Sequence, residues 1–301
     1  MPRQKQFHRI AVAALLPLSG LALTGSPAAT AADAGAFTAT VATFVDDADG
    51  ISTDLDLYWD PADWIGVSAG IGQAESSSEL ADLDGDALRA SIDLHGESLG
   101  GRLNWRRWQD GGQFESDTLG GELYWRTTSG WQFGLIAEQR DFSVDYTVTV
   151  LNRPIARRVE FDGQGFGAQA SWYGEAWGGY LRGVSYDYGD TLARVRAAAQ
   201  TPNLGRFPRI QALVASLLTR TAGAIDHDLS AGIERSFQRS GLRLDVSTTR
   251  DTLSAAESRT LSLSYRYALT PRFELEGTLG TADSDDLDSV GFAGLALSLR
   301  Q

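Results

Sequence analysis

Few residues in this chain could do catalytic chemistry. Of three histidines, His8 falls in a basic leader, leaving His95 and His227. Acid–base or nucleophilic catalysis near neutral pH most often draws on an imidazole. Glu97 and Ser98 stand close to His95, but they occupy a predicted tight turn. His227 sits in Asp226-His227-Asp228, and an Asp–His pair can activate a nucleophile. In a strand, however, adjacent side chains point to opposite faces, so such a dyad does not form easily. Neither histidine is assigned a catalytic role, and a hydrolase would rest on these two residues alone. The run Asp82-Leu83-Asp84-Gly85-Asp86 spaces carboxylates as a calcium loop does, yet its twelfth position is Asp93 on a predicted strand, where an EF-hand needs Glu. Asp46-Asp47-Ala48-Asp49 and Asp283-Ser284-Asp285-Asp286-Leu287-Asp288 read as solvated loops. With no cysteine there is no thiolate and no disulfide framework. No metal and no cofactor is expected.

The remaining charges have a different order. Asp54, Asp56, Arg89, Asp93, Arg102, Arg106, Glu122, Arg126, Glu138, Arg182, Glu234, Arg243, Asp245, Arg266, Glu274 and Glu276 lie one residue away from apolar positions of repeated alternating stretches. Leu55, Leu57 and Trp59 alternate with acids, and Leu88, Ala90, Ile92 and Leu94 alternate with Arg89, Ser91, Asp93 and His95. A period of two marks a strand with two unlike faces. Six hairpins follow: 54–59 with 65–71, 88–94 with 99–105, 119–125 with 131–137, 166–172 with 177–181, 229–237 with 242–246 (with a slip near Arg235), and 261–267 with 273–279. Phe37 to Val45 and Ala293 to Leu299 add one strand at each end, making 14. Thr38, Thr40 and Thr43 blur the first strand, and without the end strands the number is 12.

Between the two strands of each hairpin only four or five residues intervene, whereas the intervening connections are mostly longer and more polar. Trp59, Trp125, Trp131, Trp172, Trp177, Tyr267 and Phe273 lie on the apolar face beside the short turns. Aromatic rings there suit a membrane–water boundary, and short turns at one rim with long loops at the other suit a membrane barrel. If the apolar face meets lipid, the sixteen charges above line a lumen. The opposite geometry, a soluble barrel with the apolar face inward, would leave a 14-stranded interior too wide to fill.

The N-terminus agrees with export. Arg3, Lys5 and Arg9 precede an apolar run from Ile10 to Leu23 and a small-residue end at Ala29-Thr30-Ala31. This is the layout of a secretory signal, cleaved after Ala31, and the run falls short of the ~20 residues that span a bilayer. Removing it raises the excess of acids over basic residues from 13 to 16. An acidic chain with scattered Arg is a poor nucleic-acid ligand. One segment departs from this balance. Residues 190–222 carry Arg194, Arg196, Arg206, Arg209 and Arg220, and Ile210, Leu213, Val214, Leu217 and Leu218 fall at helical spacing behind Pro208. An extracellular helical loop is expected there, either within the lumen or over its rim.

Over residues 37–301 the pattern resembles the outer-membrane β-barrel superfamily, the porin-like proteins of Gram-negative bacteria. The likeness is of pattern and points to no specific family. Such chains often end on an aromatic residue, whereas this one ends Leu299-Arg300-Gln301. The resemblance implies an all-β, up-and-down transmembrane barrel in residues 32–301, surrounded by outer-membrane lipid and lipopolysaccharide. Two functions fit: a passive channel for small hydrophilic solutes, or a closed structural barrel whose outer loops bind a partner or surface ligand. The topology makes a direct prediction. Cysteines placed at Arg89, Glu122 and Arg182 should react with a water-soluble thiol reagent in intact membranes. Cysteines at Trp59, Trp125, Trp172 and Tyr267 should not, and the reverse labelling would overturn the barrel.

Overall fold

Alternating apolar and polar residues become strands wherever both faces find a suitable medium, and here they do so along nearly all of the described residues. The computed structural model describes residues 35–47, 49–77, 82–111, 114–150, 153–189, 224–252, 255–285 and 287–301. Fourteen strands fill them: β1 (Phe37–Asp46), β2 (Ile51–Ala62), β3 (Ile65–Ser77), β4 (Asp82–Leu94), β5 (Leu99–Asp110), β6 (Phe114–Arg126), β7 (Trp131–Val150), β8 (Arg153–Tyr173), β9 (Trp177–Asp187), β10 (Ile225–Ser236), β11 (Ser240–Asp251), β12 (Glu257–Ala268), β13 (Phe273–Ser284) and β14 (Leu287–Arg300). The predicted leader and segment 190–222, with its predicted helix, lie outside the described residues.

Each strand pairs antiparallel with its sequence neighbours, and β1 closes on β14. The closing register runs from Thr38 opposite Arg300 to Asp46 opposite Phe292. Two further bonds tie the seam, Phe37 N to Gln301 O at 3.0 Å and Gln301 N to Phe37 O at 2.8 Å. The blurred first strand is therefore a full member of the wall. Thr38 and Thr40 point inward, where Thr40 meets the Ser298 hydroxyl at 2.9 Å, while Thr43 lies in the outward phase, 3.3 Å from the Thr53 hydroxyl.

Along the middle of the wall the outward face is apolar: Leu135, Phe166 and Leu279 are each about two-thirds exposed. A 12-residue strand is about 40 Å long, and a tilt of about 40° leaves a rise of about 30 Å, the thickness of a hydrocarbon core. At the short-turn rim the rings pack on one another. Trp131 stacks on Phe133 at 5.8 Å between centroids, and Trp172 lies 6.5 Å from Trp131. In the turn that joins β6 to β7, Gly130 takes a φ of +85° that L side chains avoid, and its N–H donates to Thr127 O.

Three expectations are corrected. The connections at the far rim are mostly short, because the strands run on past the apolar band: β7 and β8 have 20 and 21 residues. Water ends the need for apolar side chains but does not interrupt a backbone ladder. For the same reason Asp82 to Asp86 is not a loop but the start of β4, with Asp84 and Asp86 exposed. Nor does β10 slip at Arg235. Its side chain keeps the outward phase, with the guanidinium 5.1 Å from the Trp177 and Phe237 ring centroids, so a charge is held among interfacial rings.

Placing a charge on this outer face tests the orientation energetically. Leu135→Arg, midway along the apolar part of β7, should cost about 2–4 kcal/mol in reversible unfolding from vesicles. Gln139→Arg, four residues nearer the far rim, should cost no more than about 1 kcal/mol. Equal costs at the two positions would contradict the assigned membrane depth.

Candidate functional site

The same parity that turns Leu and Trp outward turns the charges inward. All sixteen sequence-predicted charges sit on the inner face, each buried or half-buried, and the seven predicted rim aromatics are exposed on the outer face. Neighbouring strands bring most of the inner charges together. Arg89 of β4 bonds Asp54 at 2.6 Å and lies 3.2 Å from Asp56, both on β2, reaching across β3 where Gly70 and Gly72 leave room. Arg102 donates to Asp93, which is almost fully enclosed, while Gln169 donates to Glu122. Arg243 holds Asp245 at 2.8 Å, with the Tyr180 hydroxyl donating to the same carboxylate at 2.8 Å. Arg266 pairs with Glu234 and lies opposite Glu276 in register. Among the described residues Arg126 meets no carboxylate within ion-pair distance, and it donates to Gln132 at 3.0 Å. Arg106 stands apart from all of these.

The densest cluster is centred on Glu138, and sequence reasoning found only part of it. Its two oxygens accept from Arg182 at 3.0 Å, Arg140 at 3.1 Å and the Tyr186 hydroxyl at 2.9 Å. Arg182 continues to Asp228 at 2.6 Å, and the Arg140 guanidinium lies 3.9 Å from the Tyr186 ring centroid. Arg140, Tyr186 and Asp228 were missing from the predicted set, as was Arg300, which bonds Glu274 at 3.1 Å. The signal for them was present. They keep the inward phase of β7, β9, β10 and β14 one or two steps beyond where the apolar alternation becomes less clear.

That inward phase also carries an unexpected apolar group. Phe114, Phe142, Val144, Phe161, Tyr186 and Tyr188 pack into a buried cluster on the inner wall of β6 to β9, joined by Trp108 of β5. Phe142 stacks on Phe161 at 4.8 Å, and Trp108 meets Phe114 edge-on at 5.2 Å. The inner face is therefore charged toward the short-turn rim and aromatic toward the far rim on this side.

Neither histidine forms a catalytic constellation with described residues. His95 lies between two tyrosine hydroxyls, Tyr58 at 3.4 Å from Nε2 and Tyr124 at 3.5 Å from Nδ1, with Asp60 at 3.8 Å; Glu97 and Ser98 remain exposed in the turn. A bulge at Asp226 relaxes strict alternation and brings its carboxylate 3.7 Å from His227 Nδ1, beyond hydrogen-bond reach, while Asp228 turns inward to Arg182. Among the described residues no three His, Cys, Asp or Glu side chains are disposed to hold a metal ion.

A closed antiparallel wall, apolar along its outer band and ionic inside, is the architecture of a membrane-spanning β-barrel. Solved barrels of similar course include CymD, a monoaromatic hydrocarbon channel, at 11% identity over 92% of this chain and 91% of that one, with a TM-score of 0.49. A loop-L8 deletion mutant of OmpT, an outer membrane protein of Vibrio cholerae, aligns at 9% identity over 89% of this chain and all of that one, with a TM-score of 0.44. The KdgM porin aligns at 9% identity over 87% of this chain and 98% of that one, with a TM-score of 0.42. No protein-family model matches the chain, and no curated protein matches it. At such identities and superpositions, the solutes of those proteins carry nothing over to this one.

The Glu138 cluster can be probed directly. Glu138 is enclosed, with its side chain 7% exposed, so Glu138→Gln leaves two guanidiniums short of their shared carboxylate. The substitution should destabilise the barrel by about 3 kcal/mol in denaturant unfolding. Glu257→Gln, which removes the acid of a solvent-exposed pair with Arg259, should leave the unfolding midpoint unchanged.

Proposed function

We propose that this chain is an outer-membrane channel that passes small hydrophilic solutes by passive diffusion. The observation that carries the reading is the state of the inner charges. Within a wall whose outer face is apolar, the side chains of Asp56, Arg102 and Arg300 remain 38%, 35% and 41% exposed. Ionic groups left open in this way require water in the lumen, since an unpaired charge against hydrocarbon costs several kcal/mol. Asp54, Asp56, Arg89, Asp93, Arg102 and their predicted companions are then pore-lining. Trp59, Trp125, Trp131, Trp172, Trp177, Tyr267 and Phe273 are interfacial anchors in the lipid of the periplasmic side, and lipopolysaccharide surrounds the opposite rim. Ion pairs bordering water contribute only ~0–1 kcal/mol each, so they do not seal a barrel of this width.

The closed, interaction-type barrel is the second reading, and the buried aromatic cluster at the far rim favours it. On the channel reading, the basic segment 190–222 narrows an otherwise acidic lumen, and salt weakens that attraction where water reaches it. Deleting residues 191–220 should therefore raise single-channel conductance in planar bilayers. Unchanged conductance in a barrel that still inserts would place the segment outside the pore, and a complete lack of conductance with and without it would favour the closed barrel.

A further inference from the structure

One guanidinium stands on the lipid side of the wall. In every other strand the first four outward positions counted from the short-turn rim carry no charge. In β10 the same phase reads Phe237, Arg235, Ile233 and Ala231. Arg235 is exposed, and its guanidinium lies 5.1 Å from the ring centroids of both Trp177 and Phe237. Its ladder neighbours, Trp177 on β9 and Leu242 on β11, are apolar. Among the described residues no carboxylate comes within ion-pair distance of it. A charge facing lipid costs most at the bilayer midplane and little near the interface. At the level of the rim rings the stem of Arg235 can lie along apolar surface while its head reaches the headgroup layer. The groups offered there are phosphodiesters, and a guanidinium fork suits two oxygens of one phosphate.

The rim around Arg235 is unevenly charged. The turns joining β2 to β3, β4 to β5 and β8 to β9 hold Asp63, Glu97 and Glu175 and no arginine. The turns joining β10 to β11 and β12 to β13 hold Arg239 and Arg272 and no acid. Both arginines are exposed, and neither forms an ion pair among the described residues. The two turns abut, since Arg239 O accepts the Ala268 N–H at 2.8 Å. The second is pinned by Thr270, whose Oγ1 accepts from the N–H groups of Arg272 at 3.2 Å and Phe273 at 3.0 Å. Three guanidiniums thus share one arc of the rim, from β10 to β13, in a chain whose acids outnumber its basic residues by 13. Clustered basic residues at a membrane surface attract anionic lipid.

We propose that this arc is a binding site for an anionic glycerophospholipid of the phosphatidylglycerol type. Arg235 takes the phosphodiester beside Trp177 and Phe237. Arg239 and Arg272 select the headgroup, because the ammonium of a zwitterionic lipid would be brought against two more positive charges. The choice of a phospholipid rests on the proposed orientation, in which this rim faces the periplasm and lipopolysaccharide surrounds the other. Conductance plays no part in it, so a barrel that fails to conduct leaves the site standing. The full chain, folded in nonionic detergent micelles, is titrated with phosphatidylglycerol or phosphatidylcholine of matched acyl chains, and bound lipid is counted by native mass spectrometry. Phosphatidylglycerol should bind at a concentration lower by tenfold or more. Arg235→Gln should abolish that preference, Arg235→Lys should keep part of it, and Arg259→Gln at the opposite rim should leave it intact. In vesicles, phosphatidylglycerol should raise the unfolding temperature of the wild type and not that of Arg235→Gln. That variant removes a charge from the lipid face, so it should fold, as heat-dependent gel mobility will show; if it does not, Arg239→Gln with Arg272→Gln replaces it as the criterion. Equal binding of the two lipids by the wild type, or an unchanged preference in the folded variant, overturns the site. Displacement of phosphatidylglycerol by an equal concentration of inorganic phosphate overturns the lipid as occupant in favour of a soluble anion. Tighter binding of lipopolysaccharide than of phosphatidylglycerol overturns it too, and with it the assignment of this rim to the periplasm.

Discussion

Every backbone N–H and C=O inside a bilayer must be bonded within the protein, because lipid offers no partner and each orphan costs several kcal/mol. A sheet meets that demand only by closing, and here closure depends on β1 pairing with β14. The least strand-like stretch of sequence is therefore as necessary as any other. Thr38, Thr40 and Ala42 make a poor amphipathic pattern, but their backbone groups complete the ring and their small side chains let the seam pack. Once the ring is closed, parity assigns every side chain to lipid or lumen, and the chemical character of the interior follows.

The lumen resolves that assignment in two ways. Toward the short-turn rim, guanidiniums and carboxylates from strands two apart bond across glycines, as Arg89 does over Gly70. Toward the far rim, on the β5 to β9 side, aromatic rings replace ions and pack as a small core. Charges next to a buried apolar group must either be paired or find a ligand. Arg140 and Arg182 are paired through Glu138 at the boundary of the two regions.

Much of this was legible beforehand. A period of two was visible in Leu55-Asp56-Leu57 and in Leu119 to Trp125, and it carried the strand number, the outward face and the sixteen inward charges. Strand ends were not legible, because the apolar pattern stops at the lipid boundary while β7 and β8 continue into water. The aromatic inner cluster was also missed. Phe142 and Phe161 are apolar residues in the inward phase, and a reading that equates apolar with outward has no place for them.

Sequence alone determined the architecture, because alternation is local: two adjacent residues suffice to define two faces, and hydrocarbon outside a wide barrel selects which face is which. Register between strands is not local. That Arg182 reaches both Glu138 and Asp228, and that Arg106 stands opposite Arg89, depends on how far each strand is shifted along its neighbour. That shift is set by closure of the whole ring and by turn geometry together. Composition held enough acids for the lumen arginines, and only the tertiary arrangement decided which of them meet one.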